Sequence, residues 1–465
     1  MMIVPQTRLL LWVAVVLLPA AIIGAVFPVL ASVAALSMVA LISLAVLDLA
    51  LSAGRLQDLD VKAPDVIRLF KDRDGIIELE LVNPGKQSRT VRIGLALAPD
   101  TGSKSEDMIA ALPDDAERSR VDWLCRPKAR GSYELKQCYL EEGSRFGMWL
   151  VRGRRTLASE VRVYPNLHDE RRQVAALFLN RGNYGMHARR QVGKGRDFEK
   201  LREYVPGDDY DEIHWKATAK RGRPVTKVFQ IERTQEVYVI VDASRLTARK
   251  ALLPALHKAV AGGSTEDSTE GTEIRETTVL ERFINAALLL GVAAEQQGDL
   301  FGMATFSDRP KLFLRARNGT SHYDTCRDAL YTLEPEAVSP DFDELAVFLK
   351  TRLRRRALLV FLTALDDPVV AEGFIRGIEV LSRQHLVMVN MIPPTSIRPL
   401  FSEEGGVRSV DDVYRELGGH LQWQKLRELQ KVLQRRGVRL SLLDQERLSA
   451  QLVTQYLEVK QRQIL

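Results

Sequence analysis

The stretch that most constrains the fold is the amino-terminal segment from Leu9 to Gly54. Its only charged residue is Asp48, and it contains no lysine or arginine. Because one membrane-spanning helix needs only about 20 apolar residues, this segment is long enough for two. We therefore predict two transmembrane helices within residues 1–55, joined by a turn near Pro28. The alternative is a cleavable signal peptide that ends just after this turn, followed by one spanning helix.

The charges that flank the apolar segment predict its orientation. Five basic residues follow it: Arg55, Lys62, Arg68, Lys71 and Arg73. Because basic residues are retained on the cytoplasmic side of a membrane, both alternatives place the rest of the chain in the cytoplasm. The three cysteines form no CxxC pair. They indicate neither a disulfide framework nor a thiolate metal site, which fits a reducing compartment.

Residues 56–165 have the pattern of a small β-domain. Apolar and polar residues alternate over Ile76–Val82 and Val91–Leu97, and the pattern continues over Ser132–Leu140 and Val161–Pro165. Such alternation predicts half-buried strands, and the Asn-Pro-Gly and Arg-Gly sequences between them predict turns. We therefore predict an antiparallel β-sandwich, immunoglobulin-like in general form.

Residues 235–465 have the pattern of an α/β domain. Five apolar runs without alternation predict strands that are buried on both faces: Val237–Ser244, Leu300–Phe306, Ala357–Leu365, His385–Ile392 and Val438–Leu443. Helical patterns separate these runs, which predicts a doubly wound parallel sheet with helices on both faces. The acidic stretch 261–278 has too few apolar residues to join this core, and we predict a flexible surface insertion there.

The linker between the two domains, residues 166–234, contains the densely charged motif "GKGRDFEKLREYVPGDDYDEIHWKATAKRG". Its Pro-Gly pair predicts a turn, and Asp208 or Asp209 is a natural N-cap for a short helix. Acidic residues would then lie in the first helical turn and basic residues in the last. This order complements the helix dipole, and Gly222 stands where a terminating glycine is expected.

Two chemical interpretations compete with a simple capped helix. Five side chains of the motif carry suitable ligand or proton-transfer atoms: Asp208, Asp209, Asp211, Glu212 and His214. A metal-assisted hydrolase that uses this Asp208–His214 cluster is the first alternative function. The basic segment 181–196 suggests a second, the binding of anionic lipid or nucleic acid. The net charge of only +6 argues against nucleic acid as the ligand.

The motif resembles the signature of the bacterial domain-of-unknown-function 58 family. The correspondence lies at Gly195, Asp197, Phe198, Leu201, Arg202, Tyr204, Pro206, Gly207, Asp208, Asp209 and Trp215. His214 departs from the pattern, because the family usually has Asp there. The resemblance implies an inner-membrane protein with a membrane hairpin, a β-rich domain and a von Willebrand factor A-like α/β domain. It also implies a joint beside the α/β domain formed by Arg202, Tyr204, Gly207, Asp208, Asp209 and Trp215.

Domains of the von Willebrand factor A type carry a metal-ion-dependent adhesion site after the first strand, with the pattern Asp-x-Ser-x-Ser. The resemblance places its first two ligands at Asp242 and Ser244, whereas Leu246 stands at the third position and cannot bind a metal. Asp366 is displaced by two residues from the expected acid, and Thr320 is a weak match for the loop threonine. The implied site is degenerate, with Mg²⁺ as its cation. In the alternative interpretation, the first two residues only cap the next turn.

The resemblance also implies a protein partner, because members of the family often occur with MoxR-type AAA+ ATPases. The first hypothesis is therefore a non-enzymatic, membrane-anchored and cytosol-facing adaptor. It would work with such an ATPase in the assembly or maturation of other proteins. The sequence contains no P-loop, nucleophile elbow, zincin motif or dinucleotide fingerprint that would support an enzyme.

Overall fold

The computed structural model describes most of the chain. The described residues are 2–180, 192–206, 209–230, 235–254, 274–400, 402 and 409–462. They fall into two units, Met1–Asn166 and Leu167–Leu465.

The first unit begins with apolar helices and continues as a β-domain. Its elements are β1 (Met2–Pro5), α1 (Thr7–Trp12), α2 (Leu18–Val26), α3 (Ala31–Ser52), β2 (Asp60–Lys62), β3 (Val66–Phe70), β4 (Gly75–Val82), β5 (Arg89–Leu95), β6 (Met108–Leu112), β7 (Arg118–Cys125), β8 (Gly131–Gly143) and β9 (Trp149–Tyr164). A π-helical turn joins α1 to α2, and a 3₁₀ turn precedes α3.

Helix α3 is, among the described residues, the one helix long and apolar enough to cross a membrane. Its mean hydropathy is 2.3 over its most apolar part, of which only 17% is buried. This exposure of apolar faces indicates membrane association. The preceding apolar helix, Thr7–Ile23, is shorter. Two spanning helices joined by a turn near Pro28 were predicted; the structure has a 3₁₀ turn at Pro28–Leu30, and a first spanning helix before it stays a prediction.

Both ends of the apolar segment contact the same β-hairpin. Strand β1 pairs antiparallel with the first residues of β9. Near the end of α3, the fully buried carboxylate of Asp48 accepts hydrogen bonds from Ser144 Oγ at 2.5 Å, Phe146 N at 3.0 Å and Met148 N at 3.2 Å. These three donors lie in the loop between β8 and β9. The only charge of the apolar segment therefore fixes α3 to the β-domain.

The β-domain consists of two sheets around one core. One sheet has the order β1-β9-β8-β5-β6, with β3 added parallel to β9, and the other has the order β2-β4-β7. Alternate residues of the strands point into a shared apolar cluster that contains Leu79 of β4, Trp123 of β7 and Leu140 of β8. The four sequence stretches predicted to be strands lie in β4, β5, β8 and β9.

The second unit carries the motif and the α/β fold. Its elements are α4 (His168–Asn180), β10 (Val192–Glu203), α5 (Trp215–Arg221), β11 (Val225–Gln230), β12 (Glu236–Asp242), β13 (Lys250–Pro254), β14 (Ile274–Thr278), α6 (Val279–Gln296), β15 (Leu300–Phe306), β16 (Pro310–Arg317), α7 (Thr320–Leu330), α8 (Phe342–Arg352), β17 (Ala357–Leu362), α9 (Pro368–Ser382), β18 (Leu386–Met391), α10 (Val410–Arg435), β19 (Arg439–Leu442) and α11 (Leu448–Gln461).

A six-stranded sheet with the order β16-β15-β12-β17-β18-β19 forms the centre of the second unit. The five predicted strands are its parallel members, and β16 adds an antiparallel edge. Val237 and Val239 of β12 lie in one apolar core with α6 and α11, whereas Tyr238 and Ile240 lie in a second core with α8, α9 and α10. Helices therefore cover both faces, which explains why the buried strands show no alternation.

Two segments differ from their sequence predictions. Helix α4, from the stretch predicted as a linker, belongs to the second unit, where buried Glu170 accepts hydrogen bonds from Arg282, Asn285 and Ser449. The end of the predicted insertion is also ordered, because β14 pairs with β13 over Ile274–Thr278. Residues 261–273 of that insertion lie outside the described residues.

Candidate functional site

The carboxyl edge of the parallel sheet is the first candidate site. The chain passes from β12 to β15 on one side and later to β17 on the other, so β12 lies where the strand order reverses. In open α/β sheets, ligands bind beyond the carboxyl ends of the strands at this kind of switch point. Asp242 is the last residue of β12, and it lies at this position.

The carboxylate of Asp242 is fully buried and hydrogen-bonded by protein groups on both oxygens. Its Oδ1 accepts from Ser244 N at 2.8 Å, and its Oδ2 accepts from Thr363 Oγ1 at 2.6 Å. Burial raises the pKa of this carboxyl, and the hydrogen bonds from Thr363 and Ser244 oppose that rise. The side chain therefore joins the ends of β12 and β17.

Loops from the same unit cover this position. Glu336 N donates to Ala243 O at 2.8 Å, and Arg245 N donates to Val338 O at 3.0 Å, so the segment before α8 runs across the strand end. Ser244 is fully buried, and its Oγ accepts from Leu246 N at 3.4 Å as the cap of a 3₁₀ turn. Both residues predicted as metal ligands are thus engaged in local capping.

The remaining predicted ligands do not complete a cation site. Asp366 Oδ2 accepts from Arg249 Nη1 at 3.3 Å, and the same guanidinium donates to Ile392 O at 2.8 Å. Thr320 is exposed at the start of α7. Across the stretches that the structure describes, no three His, Cys, Asp or Glu side chains are grouped to hold a metal. The described side chains at this edge do not form a set of Mg²⁺ ligands, because Asp366 pairs with Arg249 and both oxygens of Asp242 accept hydrogen bonds from protein groups.

The charged motif forms a second candidate site, a small hairpin of β10 and β11 with α5. Arg202 pairs with Thr226 across the two strands, and Tyr204 N donates to Pro224 O at 3.0 Å. Asp209 is exposed and precedes the 3₁₀ turn Tyr210–Glu212. Gly207 and Asp208 also belong to the predicted joint, but they lie outside the described residues. Residues 181–191 of the basic segment lie outside them as well.

Helix α5 begins later than the sequence predicted, and its N-cap is His214. The His214 Nδ1 accepts a hydrogen bond from Ala217 N at 3.0 Å, which satisfies one of the free N–H groups at the helix start. Gly222 ends the helix with φ of 69°, as predicted. The 3₁₀ turn Tyr210–Glu212 contains Asp211 and Glu212, the acidic residues that the sequence assigned to the first helical turn. Because Nδ1 accepts from the backbone, it has no lone pair left for a metal.

The hairpin leaves large side chains open to solvent. Trp215 is 66% exposed and Tyr210 is 74% exposed, and Val205 beside the turn is also exposed. Beneath them, Ile213 and Val225 are buried, and His214 N donates to Val225 O at 2.8 Å. Apolar residues thus occur on both the inner and outer sides of this small element. Trp215 is largely exposed among the described residues, and its place in the predicted joint stays a prediction.

Sequence reasoning missed two side chains at the sheet edge, Thr363 and Arg249. Thr363 follows β17 directly, and the register of β12 with β17 places the two strand ends together. A polar residue at the end of a neighbouring apolar run was the available signal for Thr363. Arg249 had no such signal, because its contact with Asp366 spans 117 positions of the chain.

A membrane-associated chain with an α/β second unit is the class that the apolar helix and the sheet define. The model of the family described as "Protein of unknown function DUF58" matches residues 200–251 and 265–398. This match, which covers less than half of the chain, confirms the resemblance over these residues. No curated protein matches the sequence.

Three solved structures show distant similarity. An aerotolerance-related membrane protein from Bacteroides fragilis NCTC 9343 is 13% identical, with 49% of this chain and 100% of that chain covered and a TM-score of 0.30. The conserved hypothetical protein BatB from Bacteroides thetaiotaomicron is 12% identical, with 49% and 99% covered and a TM-score of 0.28. An uncharacterized membrane-spanning protein from Vibrio fischeri is 12% identical, with 50% and 98% covered and a TM-score of 0.16. Similarities this low carry no argument about function.

Proposed function

We propose that this protein is a membrane-anchored, cytosol-facing adaptor that binds a MoxR-type AAA+ ATPase and assists the assembly or maturation of other proteins. In this proposal the apolar helices form a hairpin in a bacterial inner membrane. The first unit is an immunoglobulin-like domain, and the second is a von Willebrand factor A-like domain without enzymatic activity. The basic residues after α3 support the cytoplasmic orientation.

The exposed aromatic side chains of the motif hairpin carry the proposal. Tryptophan and tyrosine are enriched at the centres of protein interfaces, where they bury large areas at a small cost in conformational entropy. Trp215 and Tyr210 lie within the residues that match the family, yet most of each side chain contacts solvent. A partner surface that covers these two side chains would remove their apolar area from water, which favours binding.

The geometry of the sheet edge supports a contact that does not depend on a cation. Asp242 is buried beneath its loops and makes hydrogen bonds through both oxygens. A partner carboxylate could reach a cation there only after the loop before α8 opened and Thr363 gave up its hydrogen bond. The motif hairpin requires no such rearrangement, so we place the contact on the hairpin.

Affinity capture of the full chain from detergent-solubilised membranes tests this function. Four forms are compared: the wild type, the Tyr210→Ser and Trp215→Ser double variant, Asp242→Asn, and the matched control Val347→Ser. Val347 is an exposed apolar residue of α8 with 64% exposure. We expect the ATPase to be retained by the wild type, the control and Asp242→Asn, with or without a chelator, and to be lost from the double variant.

Other outcomes identify which part is wrong. Loss of the ATPase on chelation or in Asp242→Asn would transfer the contact to a cation at the sheet edge. Retention by the double variant would remove the hairpin from the interface. If no form retains an ATPase with ATP, with ADP or without nucleotide, the adaptor function is wrong.

A further inference from the structure

Helix α10 has an apolar stripe on its outer side. Its carboxyl-terminal half packs on the sheet through Leu426, Leu429 and Leu433. The stripe lies on the opposite side of the helix at 100° per residue, over the first three turns. Its members are Val410, Val413, Tyr414, Leu417 and Leu421, each between 43% and 70% exposed.

This half of α10 is a capped helix although none of the described residues covers its outer side. Ser409 and Asp412 form a reciprocal capping box, with Asp412 N donating to Ser409 Oγ at 3.2 Å and Ser409 N donating to Asp412 Oδ2 at 3.0 Å. Gly419 faces the domain so closely that a Cβ there would lie 2.0 Å from Ser396 O. The helix is therefore fixed in place, and the stripe is a preformed surface.

The charges beside the stripe are arranged for a second copy of the same helix. Asp411, Gly418 and Lys425 are spaced seven residues apart, so they follow one edge of the stripe. In an antiparallel pair whose two-fold axis passes near Gly418, each Asp411 faces the Lys425 of the other copy. In such a pair the dipoles of the two helices are antiparallel.

Gly418 is suited to the axis of such a pair. It is exposed, and a Cβ built on it would meet no atom within 4 Å. A glycine in mid-helix costs about 0.5–1 kcal/mol relative to alanine, and nothing in the part of the chain that the structure describes requires its small size. Close approach of a second helix would use it.

The charges argue against a lipid surface as the occupant. Helices that lie on anionic membranes carry lysine and arginine along the polar face. Between Val410 and Lys425, by contrast, the acidic residues outnumber the basic ones: Asp411, Asp412 and Glu416 against Arg415 and Lys425.

We infer that the outer face of α10 is a homodimer interface, formed by antiparallel pairing of Val410–Lys425 with the same segment of a second copy. Five apolar side chains are far fewer than the roughly 20–30 residues that each partner contributes to a standard interface. Association is therefore weak in solution and is favoured when a shared membrane keeps the copies at high local concentration. This inference does not depend on the proposed ATPase partner.

Site-specific crosslinking of the full chain in lipid vesicles tests the pair. A short bismaleimide is applied to Gly418→Cys and to the matched control Gly373→Cys, a glycine of α9 whose Cβ would also meet no atom within 4 Å. The native cysteines are buried. Burial raises the pKa of Cys125 to about 11 and the pKa of Cys138 and Cys326 to about 12, so they react slowly with maleimides.

We expect Gly418→Cys to give roughly tenfold more crosslinked dimer than Gly373→Cys, because the reactive groups are held together. Adding Tyr414→Lys and Leu417→Lys should reduce the dimer to the control level. Equal crosslinking at both glycines would overturn the inference. So would a dimer that persists with both lysines present. A third outcome would also overturn it: no dimer forms, and lipid protects the Gly418→Cys thiol from a soluble monofunctional maleimide. That result would assign the stripe to the membrane instead.

Discussion

Two fully buried aspartates show how differently one chain uses the same side chain. Asp48 lies in the apolar helix α3 and accepts three hydrogen bonds from a loop that is about a hundred residues away in the chain. Asp242 lies at the end of a core strand and accepts one hydrogen bond from its own turn and one from a neighbouring strand end. Asp48 joins two elements of the first unit, whereas Asp242 organises the edge of one sheet.

The comparison shows that a buried carboxylate is not by itself evidence for a functional site. A carboxylate without partners would be strongly destabilising in either place. Each aspartate can be buried because protein groups donate hydrogen bonds to it. The number and origin of those donors determine how much stability is lost when the aspartate is removed. The family resemblance directed attention to Asp242, although Asp48 has the larger set of tertiary hydrogen bonds.

The largest expected effect is that of Asp48→Ala. The change leaves Ser144 Oγ, Phe146 N and Met148 N without their acceptor, and we expect a loss of about 3–5 kcal/mol in the stability of the first unit. Urea unfolding of the full chain in detergent, followed by tryptophan fluorescence, measures it. Trp149 is a suitable probe because its Nε1 donates to Ala45 O of α3 at 2.9 Å. The exposed Asp60→Ala is the control, and equal stability of the two variants would contradict the role of Asp48.

The next largest effect is expected at Asp242, where two variants distinguish loss of the side chain from loss of its charge alone. Asp242→Ala leaves the Thr363 hydroxyl and the Ser244 N–H unpaired, and we expect a loss of about 2–3 kcal/mol. Asp242→Asn keeps an acceptor for Ser244 N and should cost less than about 1 kcal/mol. Hydrogen exchange of the amides of β12 measures both changes. A loss in Asp242→Asn as large as that in Asp242→Ala would show that the charge itself is required.

The pH dependence of stability provides a finer test of Asp242. Burial raises the pKa of Asp242 in the folded protein above the ordinary value of 3.8. At any pH between 3.8 and that raised pKa, the folded protein therefore keeps the proton to a greater extent than the unfolded protein does. This contribution to stability is fully present below pH 3.8 and is lost as pH rises through the folded pKa. We expect Asp242→Asn to remove it, so that the stability difference from wild type changes with pH. Parallel curves for the two proteins would contradict the raised pKa.

The smallest expected effect concerns His385, a buried ionisable group that contrasts with both aspartates. It precedes β18, and neither ring nitrogen has a hydrogen-bond partner in the part of the chain that the structure describes. Burial lowers its pKa below 6.5. Protonation therefore favours the unfolded state, and stability falls as pH decreases below about 6.5. In His385→Leu we expect this pH-dependent loss to disappear, with a change below about 1 kcal/mol at pH 8. Thermal unfolding at pH 5.5 and pH 8 measures it.

Local patterns predicted much of the architecture. The apolar runs of the α/β domain and the alternation at Ile76–Val82 correspond to strands, because burial on both faces or on one face imposes its own periodicity. The first half of α10 was missed, because its apolar stripe faces away from the core. Strand β16 was also missed, since only part of it is buried at the sheet edge.

The candidate sites could be predicted only in part. The family motif and the position of Asp242 at the end of a strand were found from the residues themselves. The N-cap role of His214 was not, because a histidine has weak capping preference and the preceding aspartates are better candidates. The pairing of Asp366 with Arg249 depends on where two loops end after folding.

By itself, the sequence determined the apolar amino-terminal segment, the succession of a β-domain and an α/β domain, and the family of the central segment. These properties follow from local composition and periodicity, which each stretch carries without its neighbours. Only the tertiary structure decided which donors surround Asp48, that Thr363 completes the hydrogen bonding of Asp242, and that Tyr210 and Trp215 face solvent. The bonds from Ser144 to Asp48 and from Thr363 to Asp242 span 96 and 121 positions. Contacts over such separations form only when whole elements pack together, so no local pattern encodes them.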